Sequence, residues 1–256
     1  MPPSPRHARI LALLEAQGTV SVSTLADRLG VSLETIRRDV KPLADQGQVI
    51  RMHGAIGLPA VVGEAPFERR MRRNRAAKEA IARRAAASIA DGQSIMLDTG
   101  TTTSLLARAL LGHRRLIVVT NSSDIARTLA TVNGNRVYMA GGELRSDSGA
   151  AFGMSAIEFI SRFTVDHAVI SAGALSAETG VMDHDLAEAE FGRAVLAQGR
   201  RRLVVTDASK FGQQGLVQVC AFAELDELIA DSSPEGALAA ALIEAEVQIS
   251  VAEVEG

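Results

Sequence analysis

A chain of 256 residues, 47% hydrophobic and with a net charge of −3, is long enough to bury one large core or two modest ones. No apolar run approaches the ~18 residues of a membrane span and no hydrophobic leader follows Met1, so the expectation is a soluble, cytoplasmic protein without a membrane partner. A single cysteine, Cys220, excludes an internal disulfide; among Val217, Val219 and Phe222 it reads as a small buried hydrophobe rather than a reactive thiol.

Charge is unevenly spread. Residues 1–75 carry 12 Lys and Arg against 7 Asp and Glu, a net +5, which leaves 15 against 23, a net −8, for the remainder. A basic head on an acidic body suits a nucleic-acid-binding module joined to a part with another task. In the head, Ser4 and Pro5 open a helix whose apolar residues Ile10, Leu11, Leu13 and Leu14 run out near Gln17 and Gly18. Residues 19–22 suit a short strand. Residues 23–29 suit a second amphipathic helix, closed by Gly30 and Val31 where a tight turn needs a residue tolerant of positive φ.

Ser32 is a good N-cap for a helix from Leu33. Leu33, Ile36, Val40 and Leu43 recur at i, i+3, i+7 and i+10 and predict an inward face, while Glu34, Thr35, Arg37, Arg38 and Lys41 look outward. Helix, glycine turn and capped basic helix make a helix-turn-helix, whose second helix enters a major groove. Pro42 lacks an N–H and crowds the carbonyl of Arg38, a conflict of ~3 kcal/mol that predicts a kink over residues 38–41. Residues 49–52 then suit a strand before a turn at 54–57, the hairpin wing of a winged helix.

The run Ser32, Thr35, Ile36, Arg37, Arg38, Asp39 and Val40, with Arg6, Ile10 and Leu14 ahead of it, resembles the DNA-binding signature of the DeoR family of bacterial transcription regulators. The resemblance recurs at separated places from about Arg6 to Pro234, including Glu68, Arg69, Asn74, Lys78 and Ile81. One departure lies at the wing, where the family has two glycines and this chain follows Gly54 with Ala55. The candidate DNA contacts are Ser32, Glu34, Thr35, Arg37, Arg38, Lys41, Arg51 and His53. Arg37 and Arg38 suit base edges or phosphates, Thr35 a phosphate or a thymine methyl, and Lys41, Arg51 and His53 phosphates.

Residues 58–66, with two prolines and a glycine, read as linker, which gives a DNA-binding domain at 1–58, a linker at 59–75 and a second domain at 76–256. A helix is expected through residues 81–89. Beyond it, apolar runs at 94–97, 116–119, 136–139, 168–170, 203–205 and 227–230 alternate with helical patterns at 104–111, 124–130, 155–163 and 186–198. Residues 235–256 suit a helix and a last strand. Such alternation means an α/β domain with a mostly parallel sheet covered on both faces, and ligands bind at the carboxyl ends of its strands.

Those ends are polar. Asp98, Thr99, Gly100, Thr101, Thr102 and Thr103 form a hydroxyl-rich loop opening a helix, which reads equally as a cap or as an anion cradle and lacks the Gly-Lys-Ser/Thr ending of a nucleotide loop. Asn121, Gly141, Gly142, Ser171 and Lys210 follow later strands, so the same rim suits a small hydroxylated anion. Asp183, His184 and Asp185 have no metal-ligand spacing, no metal or cofactor is expected, and Glu188 reads as readily as a surface carboxylate as a pocket residue.

The resemblance implies a second domain similar in fold to ribose-5-phosphate isomerase that senses phosphorylated sugars, with Asp98 to Thr103, Asn121, Gly141, Gly142 and Lys210 as its effector-binding residues. The reading is a DNA-binding repressor of carbohydrate genes, acting as a homo-oligomer on repeated half-sites. A sugar-phosphate isomerase with an accessory head is the alternative; against it, Ala168, Val169, Ile170 and Ala172 stand where the isomerase carries acidic residues.

Overall fold

The computed structural model describes residues 5–17, 19–45, 48–52, 55–57 and 66–254, and the chain divides into two compact units, Met1–Val62 and Gly63–Gly256. In the first, α1 (Pro5–Gln17), β1 (Thr19–Ser21), α2 (Val22–Leu29), α3 (Leu33–Asp45), β2 (Ile50–Met52) and β3 (Ala55–Gly57) follow in order. The Ser21 hydroxyl caps α2 by accepting the Thr24 N–H at 3.0 Å, and Gly30 ends it in the left-handed region at φ 66°. Ser32 caps α3, accepting the Thr35 N–H at 3.2 Å. Ile10 and Leu14 of α1, Leu25 of α2 and Ile36 and Val40 of α3 are fully buried and form one small core. Arg6 ties α1 to Asp39 of α3 at 2.8 Å.

Pro42 lies inside α3, which runs on to Asp45 rather than ending there. Two expectations change here. Leu33 is 46% exposed rather than inward, because the first residue of α3 lies beyond the reach of the core. Residues 55–57, expected as the wing's turn, are its second strand: β3 pairs antiparallel with β2 and with β1, giving the order β1-β3-β2. Ile56 opposite Val20 supplies the reason, since both side chains are buried and a turn would have left Ile56 in water. His53 and Gly54 lie outside the described residues, as do residues 59–65 of the expected linker; its described part, 66–75, is helical over α4 (Phe67–Arg72).

The second unit continues with α5 (Arg75–Ala86), β4 (Ser94–Leu97), α6 (Thr101–Ala109), β5 (Ile117–Thr120), α7 (Ser123–Leu129), β6 (Arg136–Met139), α8 (Met154–Ile160) and β7 (Val165–Ser171). After these come β8 (Ala174–Ser176), β9 (Gly180–Asp183), α9 (Leu186–Leu196), β10 (Gly199–Val205), β11 (Val217–Cys220), β12 (Glu227–Ala230), α10 (Gly236–Glu244) and β13 (Gln248–Val251). Seven strands form one wholly parallel sheet in the order β13-β12-β10-β7-β4-β5-β6. Alternate residues face opposite layers. Met96, Ala168, Ile170 and Val204 join the core against α8, α9 and α10, whereas Ile95, Leu97, Val169, Leu203 and Val205 join the core against α5, α6 and α7.

A second, three-stranded antiparallel sheet, β11-β9-β8, was not expected. Its strands are three or four residues long and lack a sustained apolar run. The β8–β9 turn demands Gly180: at φ 85°, an added Cβ would lie 2.4 Å from the Cys220 carbonyl oxygen. Cys220 itself is buried, and burial pushes its thiol up to about 12, which agrees with a structural role. No helix among the described residues is long and apolar enough to cross a membrane.

Candidate functional site

In the first unit, Ser32, Glu34, Arg37, Arg38 and Lys41 are exposed along α3, Thr35 is half-buried, and Arg51 is exposed on β2. The Thr35 hydroxyl lies 2.9 Å from that of Ser32, which holds both at the start of the helix. Arg37 meets Glu34 at 3.6 Å, a surface pair too loose and too wet to bind either group firmly. The basic ridge is therefore available to phosphates and base edges. His53 lies outside the described residues.

The second unit places its polar loops by topology. From β4 the chain adds β5 and β6 on one side, then crosses to lay β7 on the other side of β4. The carboxyl ends of β4 and β7 thus flank the point where the winding reverses, the crevice where parallel α/β sheets bind ligands. Asp98 leaves β4 there. Both of its carboxylate oxygens accept the N–H of Ser171, at 3.2 and 3.1 Å, which fastens the two strand ends together. Gly100 has no room for a side chain, since a Cβ would lie 2.0 Å from Ser171 Oγ and 2.9 Å from its Cβ.

Thr101, Thr102 and Thr103 occupy the first turn of α6, three residues earlier than the sequence pattern placed the helix, and all are buried. An α-helix leaves its first N–H groups without intrahelical partners, so this turn presents donors and the positive end of the helix dipole. The Thr103 hydroxyl donates to the Gly100 carbonyl at 3.1 Å. Thr99 Oγ1 and Asn121 Oδ1 are buried with no hydrogen-bond partner among the described residues. The Asn121 amide nitrogen donates to the Ala151 carbonyl at 2.8 Å, so half of that side chain holds the 150–151 segment over the end of β5.

Burial pushes the Asp98 carboxyl well above the usual carboxylate range; the hydrogen bonds from the Ser171 N–H oppose this, and the charges of Glu188 and Asp183 reinforce it. Glu188 is therefore electrically coupled to the site. It receives Arg145 Nη1 at 3.0 Å, while Arg145 Nη2 reaches Asp185 at 2.8 Å and the guanidinium lies 4.3 Å over the Phe152 ring. Asp185 also caps α9, accepting the Ala187 and Glu188 N–H groups.

Gly141 and Gly142 follow β6 at the same rim and are exposed, Gly142 at φ 145° beside Ala151. Lys210 closes a short 3-10 turn after β10 and is half-buried. Pattern reading missed Lys78. It is 5% exposed on α5, and its Nζ donates to Thr101 Oγ1 at 2.9 Å and to the Arg70 carbonyl at 2.6 Å. The signal was present in the sequence: Lys78 heads the stripe Ile81, Ala82, Ala85 and Ile89 that otherwise holds only apolar residues.

A winged helix with a basic recognition face, linked in one chain to a parallel α/β domain with a polar crevice at its strand ends, defines a ligand-responsive DNA-binding regulator. The family model described as the DeoR-like helix-turn-helix domain matches residues 6–60, and that of the DeoR C terminal sensor domain matches residues 73–232. The chain belongs to the DeoR family of transcription regulators. It is 33% identical over 246 residues to the glycerol-3-phosphate regulon repressor of Escherichia coli (strain K12), covering 96% of this chain and 98% of that protein. The HTH-type transcriptional repressor CsqR of the same organism is 35% identical over 246 residues, covering 96% and 94%, and the transcriptional repressor AccR of Agrobacterium fabrum is 31% identical, covering 89% of each.

Among solved structures, ribose 5-phosphate isomerase A from Methanocaldococcus jannaschii overlaps 52% of this chain and 53% of its own at 18% identity and a TM-score of 0.39, too slight a match to argue from. With relatives that span nearly the whole chain named as repressors, the protein is a DNA-binding transcription regulator and not an enzyme, which sets aside the isomerase alternative.

Proposed function

We propose that this protein represses genes of carbohydrate use and that a small phosphorylated sugar or polyol, bound at the carboxyl ends of β4, β5, β7 and β10, controls its grip on operator DNA. The observation that carries the proposal is Asp98 buried at the sheet's reversal point beside the open first turn of α6. In this reading the amides and hydroxyls of Thr101, Thr102 and Thr103 hold the phosphate, as a helix N-terminus suits an anion. Asp98 accepts from a sugar hydroxyl, and Thr99 and Asn121 supply buried oxygens for further hydroxyls. Gly141 and Gly142 let the backbone approach the ligand, and Lys210 adds positive charge. Several relatives bear the name of the glycerol-3-phosphate regulon, which makes that three-carbon phosphate the first ligand to try.

On the DNA side, α3 enters the major groove with Arg37 and Arg38 at base edges or phosphates, and Lys41, Arg51 and His53 on phosphates. Control requires that the ligand bind one arrangement of the heads better than another, because equal affinity shifts nothing. The test is a thermal-shift screen of the full-length protein with phosphorylated sugars, glycerol 3-phosphate first, repeated with operator DNA. A ligand-dependent shift that disappears in Thr101→Val/Thr102→Val is expected; an undiminished shift in that variant refutes the phosphate assignment.

A further inference from the structure

Among the candidate DNA contacts on α3, Glu34 alone carries a charge that phosphates repel. It stands one turn before Arg37 and Arg38 and two turns before Lys41, so helical spacing sets it on the same ridge as these three cations. Its side chain is 85% exposed, and a pairing with Arg37 at 3.6 Å holds it only weakly. The other two carboxylates of the helix are placed differently. Asp39 is engaged by Arg6 at 2.8 Å with a side chain 15% exposed, and Asp45 is the last residue of α3. Glu34 lies in the first turn, the part of a recognition helix that reaches base edges.

A carboxylate carried into the major groove is repelled by phosphates on both walls, and hydrogen-bond donors on the bases must offset that cost. The groove edges offer two, the N4 amino group of cytosine and the N6 amino group of adenine. Adenine sets its N7 acceptor beside the amino group, against the second carboxylate oxygen, whereas cytosine carries no acceptor on its own edge. Guanine and thymine present acceptors alone. The Glu34 carboxylate therefore matches cytosine and is repelled by guanine or thymine in its place. Arg37 lowers the cost of entry, because its guanidinium enters beside the carboxylate and keeps the pair near neutral.

We infer that Glu34 is a specificity-determining residue: its carboxylate accepts a hydrogen bond from the N4 amino group of a cytosine in the operator and rejects guanine and thymine at that position. The inference rests on the proposal that α3 enters the major groove. Two plainer roles for the same side chain have different consequences. A first-turn carboxylate can merely favour the positive end of the helix dipole, or merely repel phosphates. Either role changes stability or affinity on every duplex alike and leaves base preference untouched.

The test is selection of duplexes from a random pool by the full-length parent, Glu34→Ala and Glu34→Gln, followed by affinity measurements at one fixed salt concentration. The parent's selected sequence should contain a cytosine for which Glu34→Ala has no preference, with the other positions unchanged. Glu34→Gln should select adenine there, because a carboxamide supplies both an acceptor for N6 and a donor for N7. Exchanging that cytosine for guanine or thymine, with its complement, should weaken parent binding about 5- to 150-fold and Glu34→Ala binding hardly at all. Identical base preferences in the parent and both variants overturn the inference, whatever happens to overall affinity or melting temperature.

A second measurement needs no substitution in the protein. N4-methylcytosine still pairs with guanine but turns a methyl group toward the major groove in place of the amino hydrogen. Placed at each cytosine of the selected duplex in turn, it should reveal at least one position where parent binding falls by a comparable factor. No sensitive cytosine overturns the inference, even if neither variant folds. Arg37→Ala/Arg38→Ala separates the two possible failures. If that variant binds every duplex as the parent does, the reading of α3 itself falls; if it weakens binding while the Glu34 variants keep the parent's base preferences, only the role of Glu34 falls.

Discussion

Asp98 is where the cost of the site is concentrated. Its carboxyl is buried and raised well above the ordinary range by burial, so the folded protein holds this proton more tightly than the unfolded chain does. By linkage, stability then falls as pH climbs from the ordinary carboxylate value through the raised one. Asp207 and Asp185 act in the opposite sense: each is held below the ordinary range by hydrogen bonds and nearby cations that outweigh burial, so each adds stability at neutral pH that is lost on acidification. Asp98→Asn removes only the first of these contributions. The melting temperature of the ligand-free variant should therefore gain on the parent as pH rises above the ordinary carboxylate range, and its response to a phosphorylated ligand should be lost. A difference in melting temperature that does not change with pH contradicts the burial argument.

At the scale of elements, α3 carries the proposed DNA reading, and its arginines can be tested without touching its core. Arg37 and Arg38 are exposed, so replacing both by alanine should leave stability within ~1 kcal/mol of the parent while weakening operator binding. If each arginine neutralises a phosphate, the slope of log affinity against log salt should shrink by ~0.9 for each one replaced. An unchanged slope with unchanged affinity moves the interface off this helix. The same helix shows why much of the fold was legible beforehand. Ile36, Val40 and Leu43 repeat at helical spacing, Ser32 and Gly30 punctuate, and the central strands β4, β7 and β10 carry apolar runs at 95–97, 168–170 and 203–205 because both faces are covered there.

What the sequence concealed has physical causes too. The three strands β8, β9 and β11 are too short for a period to register, and Ala55 to Gly57 looked like a turn because burial of Ile56 depends on its partner Val20, 36 positions away. The strand-end loop was legible as hydroxyl-rich, but Lys78 belongs to the site only through a fold that brings α5 against α6. Nor could spacing reveal that the Asn121 side chain gives its nitrogen to a backbone carbonyl and leaves its buried oxygen without a partner among the described residues.

For the whole molecule, each chain supplies one recognition helix, and a single helix in one major groove reads only a few base pairs. Specific repression then calls for two heads on one duplex face, which is why a homo-oligomer on repeated half-sites is the arrangement we propose. Duplex geometry makes this testable without knowing the assembly's shape. Half-sites read from one face lie about 34–36 Å apart or a multiple of it, so inserting ~5 base pairs between them rotates one half-site to the opposite face, and inserting ~10 restores its phase. Footprinting and affinity measurements on a spacer series should show binding falling by at least tenfold at the half-turn insertion and recovering in part at the full turn. Addition of an effector that disfavours the DNA-competent arrangement should weaken binding at the native spacing most, because only there are both heads engaged. Equal affinity across the series would mean that the heads bind singly, and control would then have to act on α3 within one chain rather than on the relation between two.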